Sequence, residues 1–110
     1  MEKDFTLFKV SWFTQRPGGI ESIEKIHARH RALITFLQNH NLTLRTVLEP
    51  EEIINDESCL MRSDLTDEGF KLYQKAEQKW LRGIDRGKDP TDMGVFEKEL
   101  AKLRFLSSHP

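Results

Sequence analysis

His27 and His30 stand three residues apart, a spacing that on a helix brings two imidazoles within reach of one metal ion. Further ligands would have to come from His40, Cys59 or a carboxylate, and no cluster with zinc-like spacing is visible. The expectation is therefore no metal, with His30 packed in a core against one hydrogen-bond partner and His27 at its boundary. Cys59 could serve as a nucleophile beside a histidine base, but Ser58-Cys59-Leu60-Met61 resembles no catalytic elbow, and a cysteine next to Leu60 and Met61 reads as buried filling. Pro17-Gly18-Gly19 lacks the Lys-Ser/Thr and the spaced glycines of a phosphate loop and reads as a plain strand-to-helix connection. Glu77 falls by helical rotation within an arc of Phe70, Leu81 and Ile84, where a buried carboxylate needs a partner: either Arg31 or Arg45 pairs with it, or the edge of the arc is exposed. No catalytic constellation and no cofactor motif emerges, so the chain reads as non-enzymatic and without a cofactor.

Charge carries more information. The total is −1, which excludes a protein that holds nucleic acid simply by being basic. That total is sorted along the chain: residues 49–68 carry eight carboxylates against Arg62 alone, a net −7, which leaves +6 for the rest. Within this segment Glu51, Glu52, Asp56 and Glu57 lie beside short apolar runs (Ile53, Ile54, Leu60, Met61), a combination suited to docking on a basic surface with a small apolar anchor. Its bland counterpart is a charged, solvated loop. Arg86 and Lys88, fixed and exposed in the turn Asp85-Arg86-Gly87-Lys88-Asp89-Pro90, complete the partner-binding set. A row of Lys71, Lys75, Lys79 and Arg82 could instead track phosphates, so the alternative is a small nucleic-acid-associated regulator using Lys75, Lys79, Arg82, Arg86 and Lys88.

These residues must be positioned by one domain, since 110 residues supply one modest core. Residues 65–103 look like two amphipathic helices. Thr66 is the expected N-cap, with Leu65 and Phe70 as a hydrophobic staple. The first stripe is Phe70, Tyr73, Ala76, Trp80, Leu81 and Ile84; the second is Met93, Phe96, Leu100 and Leu103. Gly87 should close the first helix in a left-handed conformation, with Asp89-Pro90 opening the second and the terminal Ser-Ser-His-Pro frayed. Upstream, residues 5–13 read as a strand with Phe8, Val10 and Trp12 on its apolar face, and residues 20–39 as a helix striped by Ile20, Ile23, Ile26, Leu33, Ile34 and Leu37. That helix should end around Asn39-His40-Asn41. Residues 42–48 alternate apolar and polar and read as a second strand, either parallel to the first through a right-handed crossover or antiparallel. One helical turn with Ile53 and Ile54 tucked inward should follow, then a short third strand over 58–62, pairing with 42–48. The fold class is α+β: a two- or three-stranded sheet packed against one long helix and a C-terminal helical pair.

The lone Cys59 precludes an internal disulfide and points to a reduced compartment. The opening Met-Glu-Lys-Asp-Phe-Thr-Leu-Phe lacks the features of a secretory signal, and no uncharged stretch reaches membrane-spanning length, so the cytoplasm is expected.

Leu65-Thr66-Asp67-Glu68-Gly69, Lys79-Trp80-Leu81, the turn over 85–92 and the stretch 97–103 together resemble a pattern in small bacterial proteins. The chain's size, charge and single-domain form are similar to those of bacterial toxin-immunity proteins, including those of contact-dependent growth inhibition. This resemblance covers about a third of the chain. It implies a cytoplasmic, non-enzymatic protein that neutralises a toxin domain, often a nuclease, by binding it. The expected partner is then a basic toxin domain, with neither nucleic acid nor membrane engaged.

Overall fold

Thr66 begins α3 (Asp67–Asp85) as its spacing requires: its hydroxyl accepts from the Gly69 amide, while Asp67 and Glu68 face the positive end of the helix. The helix ends with Gly87 at φ +99°; the Gly87 amide donates to the Ile84 carbonyl and that of Lys88 to Gly83, the paired bonds of a Schellman close. The following helix, α4 (Gly94–Ser108), starts four residues later than Asp89-Pro90 predicts. The delay has a cause in two aspartates, since Asp89 accepts from the Thr91 amide and hydroxyl and Asp92 from the Gly94 amide. Pro90 itself lies outside the described residues.

The computed structural model describes residues 4–14, 23–89 and 91–108. Besides α3 and α4 these hold β1 (Thr6–Lys9), a one-turn α1 (Ser11–Thr14), α2 (Ile23–Asn39), β2 (Cys59–Met61) and a single 3₁₀ turn over Arg62–Asp64. The fold is α+β, as the sequence predicts, with an antiparallel two-stranded sheet. The Pro17-Gly18-Gly19 connection, Ile20 and the last two residues of Ser-Ser-His-Pro fall outside the described residues.

The sheet corrects the predicted strands. Residue 58–62 chain does form a strand, but β2 pairs with β1 (Phe8 opposite Leu60, Lys9 opposite Cys59) rather than with 42–48. The register shifts between Thr6 and Phe8, and the Leu7 carbonyl there accepts from the buried Tyr73 phenol at 3.0 Å. The predicted 5–13 strand stops at Lys9, so Phe8 and Val10 enter the core while Trp12, carried on α1, is 52% exposed. Residues 42–48 are not a strand and no crossover is built: Thr43 makes one isolated antiparallel bridge to Leu65, and Leu44 points outward.

α2 closes with the same chemistry as α3. Asn41 takes φ 60°, its amide donating to Gln38 and that of Leu42 to Leu37. Leu42 is thereby plugged into the core, and its carbonyl accepts the Thr66 amide. The first turn of α3 sits so close that a Cβ on Gly69 would meet that carbonyl at 2.5 Å. Ile23, assigned to the core stripe of α2, is exposed instead, while Ile26, Leu33, Ile34 and Leu37 are buried. The centre of the molecule is aromatic. Phe8 stacks on His30 (5.6 Å) and meets Trp80 (6.0 Å), and Trp80 packs edge-on against Phe96 (5.3 Å), which in turn meets Phe36 (5.9 Å). One chain of rings thus ties β1, α2, α3 and α4 together, with Leu33, Leu60, Leu72 and Leu100 filled in around it.

Candidate functional site

The acidic residues singled out above lie in the connection between α2 and β2, which holds a definite shape without a helix or strand. Its entrance is fixed by the Gln38 carboxamide. The Oε1 atom accepts the Val47 and Leu48 amides (2.7 and 2.9 Å), and Nε2 donates to the Leu48 carbonyl (3.0 Å). A side chain thus does what a neighbouring strand would have done, which is why 42–48 needs no sheet partner. Beside it, Arg45 Nε reaches buried Asp64 at 2.7 Å, and the other carboxylate oxygen of Asp64 accepts the Met61 amide. The guanidinium of Arg31 then donates to the carbonyls of Pro50 and Glu52. The Glu49 and Glu52 backbones close one turn on each other, and the Glu52 carboxylate accepts the Glu49 amide.

Beyond this turn the two isoleucines part company. Ile54 is buried, whereas Ile53 is 83% exposed. The prediction of both tucked inward on one helical turn is therefore half wrong: no helix forms over 52–55, and only Ile54 reaches the core. A second tight turn follows, with Asn55 and Ser58 exchanging hydrogen bonds and the Asn55 side chain accepting the Glu57 amide. The result is an exposed apolar side chain with Glu51 and Glu52 before it and Asp56 and Glu57 after it, all four exposed, on a backbone held from below. Glu57 makes a solvated ion pair with Lys9 at 3.5 Å.

Arg86 and Lys88 lie elsewhere, in the α3–α4 connection, exposed on the Schellman turn. The structure thus places the six partner-binding candidates in two groups on two connections. Of the basic row on α3, Lys79 is committed to Glu99 at 2.9 Å and holds that carboxyl below the usual range; Lys71, Lys75 and Arg82 are exposed.

Arg31 and Arg45, the predicted partners of Glu77, are engaged with the loop and with Asp64, and Glu77 is answered by its own helix. It is half-buried, burial pushes its carboxyl upward, and the nearby Tyr73 phenol one turn back partly offsets this. Burial raises Tyr73 strongly in turn. His30 is buried on the Phe8 ring, and its imidazole is pushed down to about 4 by burial first and then by His27 and Arg31. The one hydrogen-bond partner expected for it is not found on Nδ1, which is buried without a partner among the described residues. Among those residues no three His, Cys, Asp or Glu side chains gather as they would around a metal. Cys59 is half-buried in β2.

Sequence reasoning missed two features. The arc of α3 suggests Arg31 as a partner for Glu77, whereas its place one residue beyond the buried His30 turns it toward the loop. Extending the strand past Lys9 places Trp12 inward, whereas α1 carries it outward.

No family model, curated protein or solved structure matches this chain. The reading of function therefore rests on the loop itself. No helix among the described residues is long and apolar enough to cross a membrane.

Proposed function

We propose that this chain is a non-enzymatic protein-binding module, most concretely an immunity protein that neutralises a bacterial toxin domain by covering a basic surface. The observation that supports the reading is Ile53, 83% exposed on a loop that Arg31 fixes from below, with Glu51, Glu52, Asp56 and Glu57 around it in sequence. Ile53 is the most exposed of the large apolar side chains among the described residues, and it stands inside the charge run. In a docking loop, carboxylates accelerate encounter with a cationic surface, an apolar anchor slows release, and a pinned backbone lowers the entropy cost of binding. A nuclease, whose own ligand is a polyanion, presents the kind of surface such a loop fits. The site of action would be the cytoplasm, where an unpaired Cys59 stays reduced.

The test is a pull-down from the native host with three chains. One is the parent. The second carries Glu51→Lys, Glu52→Lys, Asp56→Lys and Glu57→Lys, and the third Lys79→Gln, Arg82→Gln, Arg86→Gln and Lys88→Gln. The parent is expected to retain a basic protein that the lysine-reversed chain loses. Recovery of nucleic acid and no basic protein, lost only from the glutamine variant, would replace this reading with that of a nucleic-acid-associated regulator.

A further inference from the structure

A tryptophan left half in water is unusual beside a core that takes up the chain's other one: Trp12 is 52% exposed and Trp80 is 2% exposed. Trp12 has no freedom to wander from the acidic loop. The three residues before it are each fastened there, Lys9 by its ion pair to Glu57, Val10 by its amide to the Ser58 carbonyl (3.0 Å), and Ser11 by its amide to the Asp56 carbonyl (3.2 Å). Val10 is fully buried, so the segment is anchored in the core as well as on the loop. α1 therefore sets its tryptophan at a fixed place next to the carboxylates.

We infer that Trp12 is the aromatic anchor of the docking face, and that the partner is a cationic protein surface with an apolar recess that accepts an indole. This rests on the reading of the acidic loop given above and adds to it the residue that governs release. Charge argues for the occupant. Residues 9–12 and 49–58 carry five carboxylates against Lys9, and even with Arg31 reaching the loop from α2 the face keeps a surplus of negative charge around an indole and an isoleucine. A second copy meeting this face with its own would bring carboxylates against carboxylates. A cationic partner brings the complementary charge, and a large rigid side chain ringed by polar groups is the form that binding hot spots take.

The experiment uses the cationic protein that the parent chain retains in the pull-down, purified, and follows acrylamide quenching of tryptophan fluorescence together with binding kinetics. Because Trp80 is buried, quenching of the free chain reports Trp12. In the complex, quenching is expected to fall by at least about threefold, as a buried anchor requires. Trp12→Ala should raise the dissociation rate at least about thirtyfold and leave the association rate within about twofold of the parent, with Trp12→Phe in between. Quenching is read on the parent chain, so the inference stays testable even if Trp12→Ala is poorly folded. Unchanged quenching in the complex, or a dissociation rate of a folded Trp12→Ala within about threefold of the parent, would overturn this inference. The acidic loop would still stand if the lysine reversals slowed capture. Protection of Trp12 that grows with chain concentration in the absence of partner would also overturn it, by assigning the face to self-association. Failure of the parent to retain any cationic protein would remove both readings.

Discussion

The α3–α4 pair and the connection from 42 to 58 sit side by side in one small protein, and different forces hold them. The helices are held by periodic apolar burial, with Tyr73, Ala76 and Trp80 from one and Phe96 and Leu100 from the other closing on a common core. The connection contributes Leu42, Leu48 and Ile54 to that core and is otherwise shaped by polar side chains reaching its backbone: Gln38, Arg31 and the Arg45–Asp64 pair. A segment can thus be ordered without regular structure. When side chains satisfy its backbone from one side, its own side chains on the other remain available to a partner.

Trp80→Ala is the harshest way to probe the helical side. Trp80 touches both Phe8 and Phe96, so its loss should cost about 3–5 kcal/mol in urea unfolding, a large part of the stability of a domain this size. A variant that unfolds at the parent's urea concentration would break the claim that this ring chain is the core.

Gln38→Ala probes the other side. Three hydrogen bonds vanish at once, two of them amides of the connection, with an expected cost of about 1–3 kcal/mol. The sharper readout is hydrogen exchange: the Val47 and Leu48 amides should lose protection beyond the global change, while the α3 amides follow the global change alone. Equal losses in both regions would mean that the connection has no local fastening of its own.

These two regions also differ in how far the sequence discloses them. The stripes of α2, α3 and α4 are legible because burial repeats every three to four residues, and the stops at Asn41 and Gly87 because few other residues tolerate a positive φ. The connection is not legible that way. Residues 42–48 have the alternation of a strand, but a strand needs a partner, and Gln38 supplies the partner's hydrogen bonds from a helix already counted as finished. The true partner of β2 lies some fifty residues upstream, a separation that local pattern cannot bridge. The docking carboxylates stand out by charge density, whereas the exposure of Ile53 and Trp12 depends on pins from Arg31, Val10 and Ser11 that no local spacing reveals.

α2 joins the two regions through adjacent residues, His30 facing the rings and Arg31 the loop, and His30 gives the mildest test. Its imidazole is depressed to about 4, so between pH 6.5 and 4 the unfolded chain takes up a proton that the native core excludes. Stability should therefore be flat in this group above pH 6.5 and fall as pH drops through that window, by about 1–2 kcal/mol at pH 5. Burial raises Glu77, whose contribution runs the opposite way, so the comparison to make is parent against His30→Leu, in which the His30 share of the slope disappears. An unchanged slope in that variant would show that His30 does not enter the core uncharged.

A fixed acidic loop that captures a cationic protein must show itself in the association rate of the retained partner at low and high ionic strength, measured for the parent and for the chain with Glu51, Glu52, Asp56 and Glu57 changed to lysine. All four are exposed and their pinning runs mainly through the backbone, so the reversed chain should melt close to the parent. Its association rate at low salt should fall at least about tenfold, and the steep decline of the parent's rate with added salt should flatten or invert. Association that is equally fast and equally salt-dependent in both chains would rule out capture by these carboxylates.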